Sequence, residues 1–366
     1  ADADDVRGEL STLQTESLLK APGVYGAGIN EILLSAFGLA LCKWSRDEFS
    51  YTFNDLVIHL EGHGRESDLD LSQTLGWLTS VFPVKLEVSD LSPDNNEHLG
   101  FAIRRIKQLI QSMPDKGVGY GVLKYMDPES QVATANTETP QIGFNYLGRF
   151  EKSQNDHSQW AMAEGGLIGA DDDMTRPRMH LIDINAMIND LGAFEFNVTY
   201  CLKAYKSDSI QKFVACFKDM LIKITHHCLN APLPQIKTPS DFIFLAQQEM
   251  QTDRIIKQQA LDQLFIKYPD LEDIVPLTPL QQGLGFESMA RKETEDDPYH
   301  VHLLITFEGR LNSSAMQKAW ATLVGRYPVL RLAFAPTDIA PDFAVIQNES
   351  THYYQIINLS GTREQK

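Results

Sequence analysis

The residues best suited to chemistry lie in VIHLEGHGRE, Val57–Glu66, where Glu61 stands between His59 and His63 and Gly62 and Gly64 alternate with them. The run VIHLEGH reads as a strand that dissolves into a glycine-rich loop. Side chains alternate along a strand, so His59, Glu61 and His63 are expected on one face. The glycines remove side-chain bulk and let another backbone or a substrate come close. A carboxylate so placed serves as a general acid or base; a solvated or salt-bridged surface glutamate fits the same spacing. The two histidines are four apart, but HLEGH is not the helical H-E-x-x-H of zinc enzymes, and its glycine and strand-like flanks oppose a helix. No metal site is expected.

Amphipathic helices and strands must position this stretch. Ile29, Ile32, Leu33, Ala36, Phe37, Ala40, Leu41 and Trp44 recur at helical spacing and predict a buried helix. Leu99, Ile103, Ile106, Ile110 and Met113 predict a second, ended by Pro114. Ile210, Phe213, Val214, Phe217, Leu221, Ile224 and Cys228 predict a third, with a shorter helical pattern around Leu10–Leu19. Strands are expected at VKLEV (Val84–Val88), YGVLKYM (Tyr120–Met126), Gln141–Leu147, His180–Met187 and Phe194–Leu202. Asn189–Gly192 joins the last two as a hairpin turn. Pro83 limits any strand that contains it to an edge or an end. Lys116–Gly119 is expected as a turn rather than a phosphate loop, because it lacks the Lys-Ser/Thr ending. Residues 151–176 read as a long polar connection. Ala231–Pro239, with three prolines, closes a domain, and one polar helix over Gln248–Tyr268 is expected in the linker that follows. Beyond it, His302–Phe307 reads as a strand and Asn312 as the cap of a helix.

The chain has 366 residues, enough for about two domains, with 43% hydrophobic and 22% charged residues, as in a soluble globular protein. Its net charge of −17 argues against nucleic acid or an anionic membrane surface as partner. Cys42, Cys201, Cys216 and Cys228 form no C-x-x-C pair and fit reduced thiols in a cytoplasmic protein. No apolar run approaches the ~20 residues of a membrane span, and the acidic start is no signal peptide. Both ends are expected to have been cut from a longer chain.

Four motifs occur in order: EGHGRE (Glu61–Glu66), QTLGWLTSVFP (Gln73–Pro83), PDKGVGYG (Pro114–Gly121) and FNYLGRF (Phe144–Phe150). Together they resemble the successive C-terminal motifs of the epimerization domains of nonribosomal peptide synthetases, with Gln73, Leu75 and Leu78 departing from the usual Arg, Val and aromatic. The resemblance spans roughly residues 1–245. A second begins at IVPLTPLQQGLGFESM (Ile274–Met289), which resembles the first motif of a condensation domain; GRYPVLRLAF (Gly325–Phe334) resembles the second, with Tyr-Pro in place of its histidines. The expected organisation is therefore the C-terminal part of an epimerization domain (1–245), a linker (246–272) and the N-terminal part of a condensation domain (273–366). His226-His227 is not the HHxxxDG centre of this superfamily, since HHCLNAP lacks its Asp and Gly; it reads as a pair at a helix C-terminus, where positive charge is favourable.

The resemblance implies an α/β (α+β) fold of chloramphenicol-acetyltransferase-like lobes, two such lobes forming a V around a tunnel in complete domains. It implies inversion at the α-carbon of an aminoacyl or peptidyl thioester carried on the phosphopantetheine of a peptidyl carrier domain, then hand-over to the condensation domain. No cofactor is bound directly; neighbouring adenylation and condensation domains are the other expected partners. Glu61 matches the family's catalytic carboxylate, whose opposing histidine belongs to a half-domain upstream, so that this chain alone is expected to be inactive. Burial between half-domains would raise its pKa toward neutrality. His63 and Arg65 orient Glu61 or the pantetheine arm, or form a structural salt bridge. Trp77 and Thr79 line the channel, or Trp77 is plain core. Tyr120, Asn145 and Tyr146 complete the expected substrate- and pantetheine-binding set. A condensation-type reaction and a catalytically silent carrier-docking module are the alternatives.

Overall fold

A computed structural model of the chain describes residues 2–65, 70–134, 139–149, 177–230, 237–248, 256–290, 299, 301–348 and 357. It separates into two compact units, Ala1–Lys237 and Thr238–Lys366.

The first unit runs β1 (Ala3–Glu9), α1 (Thr12–Tyr25), α2 (Ile29–Phe49), β2 (Leu56–Gly62), β3 (Ser80–Leu86), α3 (Asn96–Gln111), α4 (Gly119–Tyr125), α5 (Pro128–Thr134), β4 (Ile142–Arg149), β5 (Ile182–Ile188), β6 (Phe194–Cys201) and α6 (Ser207–Asn230). The strands form one mixed sheet in the order β1-β6-β5-β4-β2-β3, with β4 parallel to β2 and β5 and the other pairs antiparallel. Pro83 lies in β3, an edge strand, as its missing N–H requires.

One face of this sheet is apolar, because alternate residues of its strands are. Ile58, Leu60, Phe144, Ile182, Ile184 and Val198 are buried there, and helices pack over them. Phe37 of α2 joins the layers: its ring centroid is 5.0 Å from Phe144 of β4 and 5.7 Å from Phe217 of α6. Ser11 and Gln14 form a capping box at the start of α1, and Gly26 at φ 56° ends it in the left-handed conformation.

Helices α2, α3 and α6 and the β5–β6 hairpin follow the spacing of their apolar residues. Four expectations change. β1 was not foreseen, since ADDVRGE has little apolar alternation; it is held by its ladder to β6. YGVLKYM is the helix α4, not a strand. Trp77 is 98% exposed, so it is not core. His227 is buried beside Tyr25 and Asn96, whose side chains lie 2.7 and 2.9 Å from its ring nitrogens; burial lowers its pKa, so it serves as a neutral partner rather than a helix-end cation. The connection expected over 151–176 lies outside the described residues.

The second unit contains α7 (Ile243–Gln248), α8 (Gln258–Lys267), β7 (Leu271–Pro276), α9 (Pro279–Ala290), α10 (Ser313–Arg326), β8 (Leu332–Phe334) and β9 (Phe343–Gln347). Its sheet is antiparallel in the order β7-β9-β8. Phe242 and Leu245 are buried in its core with Leu261, Leu264 and Ile274, so the compact core of this unit takes in residues on both sides of position 245. Thr278 and Gln281 form reciprocal bonds at the start of α9, and Asn312 caps α10 through a 3.0 Å bond from the Ala315 amide. Arg331, within the second condensation-like motif, is buried, donates to the Val324 and Gln347 carbonyls and pairs with Glu272. His302–Phe307 is exposed and not in a strand; among the described residues no ladder pairs with it.

Candidate functional site

The second face of the six-stranded sheet carries the polar members of the same alternation. Glu61 stands on it near the end of β2, and the parallel ladder that pairs Leu60 with Phe144 sets Asn145 beside it. The Asn145 amide donates to Glu61 Oε2 at 2.8 Å. Glu61 is reached by solvent, but surrounding protein still raises its carboxyl pKa above the ordinary value; burial contributes most, the charge of Asp183 adds to it, and His180 opposes. A carboxyl so placed holds its proton to higher pH than an ordinary surface glutamate.

The expected grouping of His59, Glu61 and His63 holds for the first two. The strand ends at Gly62, so His63 lies beyond the alternation and is exposed. Gly64 has φ +63°, and a Cβ there would lie 1.7 Å from the Leu78 carbonyl oxygen; the close backbone approach expected of the glycines occurs here. Arg65 contacts backbone: its guanidinium donates to the carbonyls of Leu71, Thr74 and Gly76 at 2.8–2.9 Å, organising the loop that ends in Trp77 and Thr79. Both of those residues are exposed. Tyr120 packs half-buried at the start of α4, its hydroxyl 3.2 Å from Lys124 Nζ. Tyr146, one residue past Asn145, lies on the opposite, helix-covered face with its ring 6.4 Å from that of Phe194, and burial raises its phenol pKa. Of the expected set, then, the fold brings Glu61 and Asn145 into direct contact.

His180 and Asp183 were not foreseen. His59 is buried, and its Nδ1 lies 2.8 Å from His180 Nε2. His180 Nδ1 is 2.5 Å from Asp183 Oδ1, and Arg178 donates to Asp183 Oδ2 at 2.6 Å. The sequence signal was the i, i+3 pair in HLID, legible only once β5 is known to lie beside β4. Further along the same face, an open cavity of about 510 Å³ is bordered by Arg7, Glu9, Asn185, Met187, Glu195 and Asn197. Asn197 Oδ1 is buried without a hydrogen-bond partner. Among the described residues no group of three or more His, Cys, Asp or Glu is placed to hold a metal ion, no disulfide joins the four cysteines, and no single helix is long and apolar enough to cross a membrane.

Comparison with known proteins places this geometry. The condensation domain model matches residues 1–244 and 271–366. A linear gramicidin synthase of Brevibacillus parabrevis is 33% identical over 348 residues, covering 93% of this chain and 4% of that protein. A mycosubtilin synthase of Bacillus subtilis is 31% identical over 326 residues, covering 88% of this chain and 12% of that protein. The chain thus spans a small part of these relatives. Among solved structures, the epimerization domain from the third module of tyrocidine synthetase B aligns with a TM-score of 0.53 at 31% identity, covering 62% of this chain and 49% of that one. The sheet with helices on one face is the chloramphenicol-acetyltransferase-like α/β architecture expected from the motifs. The chain belongs to the condensation-domain family, in which the condensation and epimerization domains of nonribosomal peptide synthetases are grouped.

Proposed function

We propose that the first unit supplies the carboxylate-bearing half of an epimerization site, acting on the α-carbon of an aminoacyl or peptidyl thioester held on a carrier domain's phosphopantetheine. The second unit is then the opening part of the condensation domain that accepts the inverted intermediate. The observation that carries this reading is Glu61 itself: a carboxyl with a raised pKa, steadied by Asn145, on a polar sheet face. Removing the weakly acidic α-proton of a thioester needs a base on one face of the carbon and an acid on the other. Asn145 fixes one Glu61 oxygen and leaves Oε1 to take up or return the proton. The enolate oxygen requires donors as well, which this reading assigns to the opposing half-domain along with the second acid–base group.

A second reading is favoured by one observation. Glu61 is exposed, as expected of a carrier-docking module with no chemistry of its own. An amide-forming condensation reaction for the first unit is the third.

One experiment separates them. An L-aminoacyl carrier protein is incubated in D₂O with this chain and the complementary half-domain, and Cα is analysed for deuterium and chirality. Deuterium with the D-isomer supports epimerization. Amide formation without exchange supports condensation. Carrier binding with neither product supports docking.

A further inference from the structure

The row that holds Glu61 and Asn145 continues across the sheet. The ladders set Asn145 of β4 opposite Asn185 of β5, Asn185 opposite Asn197 of β6, and Asn197 opposite Arg7 of β1. Residues directly opposite one another share a face. Three side-chain amides therefore lie side by side, one per strand, beginning with the one that donates to Glu61. Asn185 and Asn197 border the open cavity of about 510 Å³, which is within the roughly 300–1,000 Å³ of ligand sites.

A sheet face that only meets solvent has no need of this row. Asparagine is depleted in strands, yet here it recurs in register on three of them. The Asn197 Nδ2 donates to Thr199 Oγ1 at 3.3 Å, while its Oδ1 is buried with no partner among the described residues. A buried acceptor without a donor costs stability, and an incoming N–H would satisfy it. Asn185 is exposed beside it. Each side-chain amide both donates and accepts, so the row matches a chain in which N–H and C=O groups alternate.

We propose that the cavity at Asn185 and Asn197 binds the backbone amides of a peptidyl chain upstream of the carbon presented to Glu61, so that the site prefers a peptidyl to an aminoacyl thioester. The thioester and the carbon rest on the epimerization reading; the binding of a peptide's amides to this row does not.

Reach and charge select that occupant. Neighbouring strands lie about 4.8 Å apart, so Asn185 and Asn197 stand roughly 10 and 14 Å from the strand of Glu61. An extended peptide advances about 3.3 Å per residue, which brings the amides some three to four residues upstream to these two side chains. An aminoacyl group ends at its own amine and reaches neither. The pantetheine arm carries amides too, but it leads to a phosphate. Glu9 and Glu195, opposite each other in the next row, border the same cavity, and the Arg7 guanidinium lies 3.7 Å from the Asp5 carboxylate. Two carboxylates and an engaged guanidinium disfavour a phosphate and suit a neutral peptide or its terminal ammonium. Met187, on the same border, offers peptide side chains an adaptable apolar contact.

The test titrates this chain, ¹⁵N-labelled at asparagine, with three probes followed by NMR of the side-chain amides. The probes are a pentapeptidyl pantetheine with an amide in place of the thioester, the matching aminoacyl compound, and pantetheine alone. The pentapeptidyl probe is expected to shift the Asn185 and Asn197 signals and to bind about tenfold or more tighter than the others. Esters in place of its upstream amides lack the N–H and are expected to weaken binding about two- to tenfold for each amide engaged. Asn185→Ala and Asn197→Ala are each expected to cost a similar factor; Asn185 is exposed, so its variant keeps the test open where Asn197→Ala fails to fold. Equal binding of pantetheine, of the aminoacyl probe or of the ester analogue would overturn the inference, as would asparagine signals unmoved by millimolar peptidyl probe. In the reconstituted domain, peptidyl carrier protein is expected to exchange its α-proton with kcat/KM about tenfold or more above that of aminoacyl carrier protein. Peptide binding through both asparagines without exchange would remove the epimerization reading alone. Exchange at equal kcat/KM from both carriers, with the asparagine signals unmoved, would remove the inference alone.

Discussion

Ile184 and Asn185 are neighbours in β5 that belong to different worlds. Ile184 faces the helices and is buried among Phe37 and its aromatic partners; Asn185 faces the other way and borders an open polar cavity. The same division runs through β2, β4 and β6. On the covered face each residue is there to exclude water, and any well-packed apolar side chain of similar volume serves. The other face holds two imidazoles in contact, a poised carboxyl and an orphaned asparagine oxygen. Buried polar groups cost stability unless paired, so their presence calls for a reason other than folding. One face makes the protein stable, and the other is open to chemistry.

That contrast can be broken most forcefully on the covered face. Phe37→Ala is expected to destabilise the first unit by about 3–5 kcal/mol, the cost of an emptied aromatic site, read from urea unfolding; a loss under ~1 kcal/mol would mean the face is not close-packed. Arg65→Ala removes three charge-assisted bonds to backbone in an exposed loop. Hydrogen exchange at residues 71–76 is expected to accelerate while global stability stays within about 1 kcal/mol of wild type.

The pH dependence sharpens the comparison with smaller effects. His59 and His227 both have lowered pKa values, so the unfolded chain binds more protons than the native one once pH falls below about 6.5. Stability is expected to be complete above that value and to decline below it, measured by unfolding at several pH values. Glu61 has the opposite sign. Its raised pKa means that the native state holds the proton longer, so its contribution turns unfavourable as pH rises through the window above the ordinary carboxyl value. Glu61→Gln should match wild type in acid and gain slightly above that window, by no more than about 0.5 kcal/mol. A variant that loses stability on raising the pH contradicts the raised pKa.

The covered face was largely legible in the sequence. Ile29–Trp44 and Ile210–Cys228 repeat at helical spacing because a single stripe of each must be buried. β1 was hidden because its strand is set by pairing with β6, not by its own alternation. YGVLKYM has the aromatic and β-branched content of a strand, yet forms a short, largely exposed helix whose local hydrogen bonds need no partner. HLLITF at His302–Phe307 has the apolar, β-branched content of a strand but finds no ladder among the described residues. On the polar face, Glu61 and Asn145 emerged through their motifs, while His180 and Asp183 did not. They lie far along the chain from His59, and only the β2–β4–β5 register brings them to it. Trp77 was misjudged as possible core because bulk alone does not reveal that a loop, tied down by Arg65, holds it outward.

The measurement that bears most directly on the account is α-proton exchange by Glu61→Gln in the reconstituted domain, with carrier binding and unfolding followed in parallel. Deuterium uptake at Cα should fall by about 10²–10⁴-fold, the contribution typical of a placed acid–base group, while carrier affinity and stability hold. Exchange at the wild-type rate in a folded Glu61→Gln variant would contradict it and return the polar face to a docking role.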